Sequence, residues 1–153
     1  MTRVDYPALA ARVASLIEGV SDEVARMATL ACEIYHADDR FDWVGFYRVT
    51  APEMLTIGPY QGGHGCLTIP FSRGVCGAAA RMRQVQLVPD VDAFPGHIAC
   101  ASSTRSELVL PVFDPDTQVI GVFDLDSDQP DAFSKEDASE IAQILAATFS
   151  QRG

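Results

Sequence analysis

The chain has 153 residues, 48% of them apolar and 21% charged, which is the composition of one globular domain and excludes a disordered or fibrous protein. Its 21 acidic and 11 basic residues give a formal net charge of −10, and no basic run is present, so no nucleic-acid partner is expected. Charges also interrupt the apolar stretch near the N-terminus, so we expect no signal peptide or membrane span and a cytoplasmic protein.

Two helices are predicted at the N-terminal end. Residues 7–19 place apolar side chains at helical spacing, with a proline suited to the first turn and a glycine suited to the end. The second helix is expected to begin at an N-cap, Ser21, and to run to about His36. Cys32 lies beside the apolar face of this helix, so we interpret it as a small buried hydrophobic residue.

The middle of the chain is typical of strands. Residues 41–49 and 53–60 are rich in aromatic and β-branched residues and predict an antiparallel pair. Because strand side chains alternate, Trp43 and Tyr47 are expected on the same face. A glycine-rich loop at 61–66 and a short strand at 67–71 follow, and a brief helix over 73–82 places Cys76 near its N-terminus.

A further strand is predicted at 84–91, and a long loop follows it at 90–104. Such a loop in a small domain is usually functional, and Phe94, Pro95 and Ile98 favour packing over disorder. Strands at 106–113 and 118–126 flank "DPDT", a hairpin turn, and a last helix begins at Ser134 with Asp137 completing a capping box. The order predicts one α+β domain over residues 1–153, with helices on one face of an antiparallel sheet.

Three acidic residues are expected at one end of this sheet. Alternation places Ile120, Val122, Asp124 and Asp126 on one face of the last strand, and the hairpin brings Glu107 to the same end. The acids either begin a surface turn or form a partly buried cluster, and the sequence leaves both interpretations open. In the second case, burial and like charges would raise carboxyl pKa values and create a proton donor near neutral pH.

The four cysteines, at positions 32, 66, 76 and 100, include no C-x-x-C pair, and the three histidines form no i, i+4 pair. We therefore expect no structural zinc site, although one assembled from distant residues stays open. In a cytosolic protein the thiols are reduced by default, and a disulfide would be transient. Cys100 is either a structural thiol or a nucleophile whose thiolate His97 or Arg105 could stabilise.

Five segments together carry a family resemblance: "GPYQG", "CLTIPFSRGVCG", "QLVPDVDAFPGHIAC", "SELVLP" and "GVFDLDS". They closely resemble the free methionine-(R)-sulfoxide reductases, a family built on a single GAF domain, from about residue 41 to the last helix. The resemblance implies a GAF-type antiparallel β-sheet with helices on one face and a loop-covered ligand pocket. No cofactor or metal is predicted. The sequence departs from the family pattern at Ser72, at Asp92 and in the glycine-rich stretch around His64.

The resemblance also implies roles for individual residues. Cys100 matches the catalytic cysteine, Cys66 the resolving cysteine that forms a disulfide with it, and Cys76 an alternative partner in recycling. The acidic residues Glu107, Asp124 and Asp126 match the groups that hold the sulfoxide oxygen and the substrate ammonium group, with Glu107 or Asp126 as proton donor. Trp43, with Tyr47 beside it, matches the wall of the substrate methyl pocket.

The function implied is reduction of free L-methionine (R)-sulfoxide through a Cys100 sulfenic acid and an intramolecular disulfide. Thioredoxin is the expected reductant, and a homodimer is the expected assembly. An alternative is a GAF domain that senses a small molecule, or a redox sensor of peroxide or nitric oxide, without reductase turnover. The three-cysteine set and the acidic residues favour the enzyme, because a ligand sensor needs neither.

Overall fold

The computed structural model describes residues 4–152, in which six antiparallel strands form one sheet of order β3-β2-β1-β6-β5-β4. The elements in chain order are α1 (Tyr6–Leu16), α2 (Glu23–Tyr35), β1 (Trp43–Ala51), β2 (Met54–Gln61), β3 (Thr68–Pro70), α3 (Gly74–Met82), β4 (Gln86–Val88), β5 (Ser106–Phe113), β6 (Val119–Ser127) and α4 (Lys135–Phe149). The predicted α+β class and both hairpins, β1–β2 and β5–β6, are confirmed. Residues 1–3 and 153 of the predicted domain lie outside the described residues.

The two faces of the sheet have different covers. Helices α1, α2 and α4 pack on one face around Phe46, Phe123 and Leu125, as expected. The short helix α3 and the β4–β5 loop cover the other face, where Tyr47 and Val122 lie. Because alternate residues of β1 and β6 point to opposite faces, one strand supplies both the main core and the second cluster. The candidate site lies on the second face.

Some element boundaries differ from the predictions. The N-cap of α2 is Asp22 and not Ser21, because the Asp22 carboxylate accepts a hydrogen bond from the Ala25 amide at 2.8 Å. The strand predicted at 84–91 is only three residues long and ends at Val88. Pro89 follows, and a proline has no amide proton to continue a ladder. A 3-10 turn, Val91–Ala93, comes next.

Two side chains also depart from their predicted environments. Ile120 does not share a face with Val122, because the β5–β6 register shifts beside Phe113 and Ile120 packs against the helix-covered core. An extra residue of this kind reverses the alternation of the residues before it. Cys32 is half-buried rather than buried, with its Sγ 3.8 Å from Nδ1 of His36. Within residues 4–152, every helix is too short or too polar to cross a bilayer.

A buried ion pair attaches the start of α4 to the rest of the fold. The predicted capping box is confirmed, since Asp137 and Ser134 exchange hydrogen bonds between side chain and backbone. The Asp137 carboxylate also accepts hydrogen bonds from Arg40 at 2.9 Å and from the Tyr6 hydroxyl at 2.5 Å. Burial alone would raise the pKa of Asp137, but the hydrogen bonds from Arg40 and Tyr6 outweigh it and lower the pKa.

We expect Asp137→Ala to lower the free energy of unfolding by about 3 kcal/mol, because Arg40 would lose one of its two buried carboxylate partners, keeping Asp38 at 3.1 Å, and the buried Tyr6 hydroxyl would lose its acceptor. Urea unfolding at neutral pH measures this change. The matched control is Asp116→Ala, which removes an exposed pair with Arg152 and should cost less than about 1 kcal/mol. The difference between wild type and Asp137→Ala should shrink as pH falls through the lowered pKa of Asp137. Equal losses at both positions would contradict this account.

Candidate active site

Two of the predicted site cysteines are covalently joined. Cys66 ends the glycine-rich loop after β2, and Cys100 lies in the β4–β5 loop. A disulfide links them across 34 residues, with a Cα–Cα distance of 5.2 Å. Cys66 and Cys100 are both half-buried, whereas Cys76 is a buried free thiol. The fold therefore brings together two cysteines that are distant in sequence, and both pack against the second face of the sheet.

The three predicted acids form a cluster on that face. Glu107 of β5 and Asp126 of β6 are directly opposite each other in the ladder, and Asp124 is two residues earlier on β6. Glu107 is 6% exposed, Asp124 is 4% exposed and Asp126 is half-buried, so the partly buried cluster is confirmed and the surface-turn interpretation is wrong. Hairpin pairing explains the meeting, because cross-strand neighbours on one face lie about 5 Å apart.

The environment of the cluster favours the protonated form of its two aspartates. Burial, followed by repulsion from Asp126 and Glu107, raises the pKa of Asp124 well above its usual range. Burial and Glu107 likewise raise the pKa of Asp126. One oxygen of each aspartate, Oδ1, is buried without a hydrogen-bond donor among the described residues. A hydrogen bond between two of these carboxyl groups requires that one of them be protonated.

Aromatic rings form the wall beside the acids. The rings of Trp43 and Tyr47 stack with centroids 5.9 Å apart, and Tyr60 stacks on Trp43 at 5.3 Å. The indole N–H of Trp43 donates to the carbonyl of Gly63 at 2.7 Å, which fixes the ring against the cysteine loop. Burial, followed by the charge of Asp124, raises the pKa of Tyr47, so its hydroxyl stays protonated. The shared face predicted for Trp43 and Tyr47 is confirmed.

These groups line one cavity, whose volume is about 30 Å³. Its walls include both disulfide cysteines, Cys76, the three acids and the Trp43–Tyr47 pair. A water molecule needs roughly 10–15 Å³ of such space, so the disulfide form has room for a few waters or one ion. Among the residues described, no lysine or arginine side chain lines the cavity. The site therefore favours cations and is too small for an amino acid in this form.

Comparison with known proteins identifies the family of the chain. Residues 10–151 match the GAF domain family. The chain is 39% identical over 132 residues to the free methionine-R-sulfoxide reductase of Escherichia coli, covering 86% of this chain and 79% of that protein. This chain belongs to the free methionine-R-sulfoxide reductase family.

Solved structures of the reductase family superpose closely on the fold. The Neisseria meningitidis free methionine-R-sulfoxide reductase, in complex with its substrate, gives a TM-score of 0.87 at 40% identity over 94% of this chain and 87% of that one. The reduced Staphylococcus aureus protein of the same family gives 0.91 at 36% identity, covering 97% of both chains. The chain therefore has the GAF fold and is an oxidoreductase of this family.

In this reductase, Cys76 occupies an unexpected electrostatic position. It lies near the N-terminus of α3, as predicted, a position that normally stabilises a thiolate. Here burial, followed by the charges of Asp124 and Glu107, raises the pKa of the Cys76 thiol instead. Cys76 is only 4% exposed. It is therefore a neutral, shielded thiol, and Cys66 is the thiol that reaches Cys100 in this structure.

His97, which the sequence suggested as a possible partner of the Cys100 thiolate, contacts the acidic cluster of the reductase. Its Nε2 lies 3.7 Å from Oε1 of Glu107, and both side chains are largely buried. The interaction with Glu107 raises the pKa of His97 despite partial burial, and Asp92 adds to this effect. The signal in the sequence was its position three residues before Cys100. Arg105, in contrast, is exposed and does not line the cavity.

The glycine-rich loop of the reductase lies close against its aromatic wall. Gly62 has φ of +112°, which a side chain would strain, and a Cβ at Gly65 would lie 2.9 Å from the Tyr47 hydroxyl and 3.1 Å from Cζ2 of Trp43. A Cβ at Gly63 would meet nothing within 4 Å. The glycines therefore allow the loop that ends at Cys66 to approach the Trp43 and Tyr47 rings.

We expect Gly65→Ala to lower kcat/KM for the reductase substrate by about tenfold or more, because the new methyl group displaces the Tyr47 and Trp43 rings. Steady-state kinetics at several substrate concentrations measure this loss. Gly63→Ala is the matched control, and it should keep the kcat/KM of the wild type because its methyl group has open space. A result in which both variants behave alike would show that ring packing does not control the site.

Proposed function

We propose that the protein reduces free L-methionine (R)-sulfoxide to L-methionine, with Cys100 as the nucleophile. The observation that carries this proposal is the position of the Cys66–Cys100 disulfide in one cavity with buried acids of raised pKa and two stacked aromatic rings. A sulfoxide reductase needs a thiol, a proton donor and an apolar surface for the methyl group. The cavity supplies all three, which supports this activity over ligand sensing.

In the proposed mechanism, Trp43 and Tyr47 contact the substrate methyl group. Protonated Asp126, or Glu107 beside it, donates a proton to the sulfoxide oxygen as the Cys100 thiolate attacks the sulfur. The protonated oxygen then moves to the Cys100 sulfur as its bond to the substrate sulfur and the new sulfur–sulfur bond both break. Cys100 becomes a sulfenic acid, and methionine leaves with its sulfur reduced by two electrons. The raised pKa of Asp126 supports its role, because an ionised carboxylate has no proton to give.

The second half of the reaction resolves the sulfenic acid. The Cys66 thiol attacks the Cys100 sulfur, water leaves, and the disulfide described above forms. Reduced thioredoxin then supplies two electrons by thiol–disulfide exchange and restores both thiols. Because the disulfide form leaves a cavity of only about 30 Å³, we infer that reduction lets the Cys66 and Cys100 segments separate before the next substrate binds.

Preference for the free amino acid follows from charge. A free methionine sulfoxide carries an ammonium group, whereas the corresponding nitrogen in a peptide is an uncharged amide. The acidic cavity has no lining lysine or arginine among its described residues, so an ammonium group would be its natural partner. We assign Asp124 to this group, with Glu107 held beside it by His97.

The proposal extends to the whole protein. We propose that residues 1–153 form a single GAF domain that acts in the cytoplasm, where thioredoxin is reduced, and that two copies form a homodimer. The continuous sheet and core of the described residues support the single domain. Analytical ultracentrifugation of the purified protein measures the oligomeric state, and a monomer at all concentrations would contradict the homodimer.

The experiment that tests the activity couples NADPH consumption to thioredoxin and thioredoxin reductase. We expect turnover with free (R)-sulfoxide and at most weak turnover with free (S)-sulfoxide or a peptide-bound sulfoxide. No turnover of the free (R) form would overturn the proposal. Disulfide formation with peroxide, in the absence of any sulfoxide turnover, would instead support the redox-sensor alternative.

A further inference from the structure

Three side chains in the cavity present ligand atoms of the kinds that bind transition metals. Sγ of Cys76 and one carboxylate oxygen each of Glu107 and Asp124 all lie within 4.8 Å of one another. They come from α3, β5 and β6. The packing of these three elements brings them together, and no short sequence motif contains them. All three residues are buried, with relative exposures of 4 to 6%.

Among the described lining residues, the potential cationic partner that contacts this cluster is His97, and its contact at 3.7 Å is with Glu107. Oδ1 of Asp124, a side chain that is more than nine-tenths buried, accepts no hydrogen bond from the described residues. It lines the cavity of about 30 Å³, whose described walls include no lysine or arginine. A buried carboxylate oxygen without a donor is costly unless a cation or a proton reaches it. The cavity thus has the size and charge for a single metal ion.

We propose that Cys76, Glu107 and Asp124 form an inhibitory binding site for Zn²⁺. One sulfur and two carboxylate oxygens suit zinc, which binds thiolate at about 2.3 Å and carboxylate at about 2.0 Å, whereas Mg²⁺ and Ca²⁺ select oxygen ligands alone. Binding of the ion releases the proton of the Cys76 thiol, and those of any protonated carboxyl ligand, to solvent. In a tetrahedral site a sulfur and an oxygen ligand are about 3.5 Å apart. The longest separation here, at most 4.8 Å, must therefore close by little more than about 1 Å.

The ion would bind Asp124, which we assign to the substrate ammonium group, and Glu107, which lies beside the proton donor Asp126. Bound Zn²⁺ therefore excludes the substrate and raises its KM without lowering kcat. This consequence rests on the proposed function, whereas binding of the ion rests on Cys76, Glu107 and Asp124 alone. Because Cys76 stays free when Cys66 and Cys100 are joined, the site is complete in the disulfide form.

The binding test uses the full chain, oxidised and stripped of metal, so that Cys66 and Cys100 cannot bind the ion. Zn²⁺ is titrated in competition with a chromophoric chelator, and Co²⁺ is added separately to detect a thiolate-to-cobalt absorption band. We expect one tight Zn²⁺ site and one thiolate ligand in the wild type. Cys76→Ser should weaken Zn²⁺ binding at least tenfold, since even the loss of groups that only support a ligand costs about 10–100-fold.

Two further variants test whether the measured Zn²⁺ affinity belongs to this site. Cys32→Ser removes the other free thiol, whose Sγ lies near His36 and could hold zinc on the surface, and it should leave the affinity unchanged. Asp124→Asn keeps the Cys76 thiol and should weaken Zn²⁺ binding, while thermal melts confirm that each variant is folded. Retained affinity in folded Cys76→Ser, or loss of affinity in Cys32→Ser, would overturn the site. Tight Zn²⁺ binding without sulfoxide turnover would support the site and contradict only the proposed activity.

Discussion

Replacing Cys100 by serine is expected to lower methionine formation by at least about 10³-fold, because a hydroxyl group cannot form the thiolate that attacks the sulfoxide sulfur. The loss should affect the first turnover as well as the steady state. Quantifying methionine after mixing reduced enzyme with free (R)-sulfoxide, without a reductant, measures the first turnover. Wild-type enzyme should yield one methionine per chain and then stop with the Cys66–Cys100 disulfide closed.

The other cysteines provide matched controls for this result. Cys66→Ser should still form one methionine per chain, since Cys100 is intact, but its steady-state rate with thioredoxin should be lost. Cys76→Ser should keep recycling, because the disulfide of the structure does not include this buried thiol. Peptide mapping without reduction would locate the bond after one turnover. Unchanged turnover in Cys100→Ser would refute the assignment of the nucleophile.

The sequence predicted the fold where one residue pattern had one structural solution. Alternation in β1 placed Trp43 and Tyr47 together, and the turn at residues 114–117 fixed the β5–β6 hairpin that pairs Glu107 with Asp126. The same rule misplaced Ile120, because a shift of register depends on how two strands fit together and not on either strand alone. Ser21 and Asp22 are adjacent and both can cap, so only the observed hydrogen bond distinguishes them.

The electrostatics of the site were less accessible from the sequence. A position near a helix N-terminus suggests a lowered thiol pKa for Cys76, yet burial, followed by two carboxylates from other elements, raises the pKa instead. The contact between His97 and Glu107 depends in the same way on how the β4–β5 loop packs onto the sheet. Burial decides whether an acid is a solvated surface group or a proton donor, and burial is a property of the whole packed fold.

The second large effect concerns the proton donor, and we expect Asp126→Asn to lower kcat by about 10²–10⁴-fold, the usual contribution of a general acid. Wild-type activity should fall as pH rises through the raised pKa of Asp126, because the carboxyl then loses the proton it must donate. In Asp126→Asn this fall at high pH should disappear. The pH profiles of kcat/KM for the wild type and for Asp126→Asn measure the difference.

A measurement of stability distinguishes the loss of the proton donor in Asp126→Asn from a failure of the variant to fold. A carboxyl whose pKa is raised in the folded state stabilises the fold most when protonated, and that contribution is lost as pH rises through the raised pKa. Asp126→Asn keeps the shape without the charge, so its melting temperature should match or exceed that of wild type at alkaline pH. Asp128→Asn removes an exposed neighbouring acid and should preserve kcat. Full activity in a stable Asp126→Asn would transfer the acid role to Glu107, which Glu107→Gln then tests by the same pH profile.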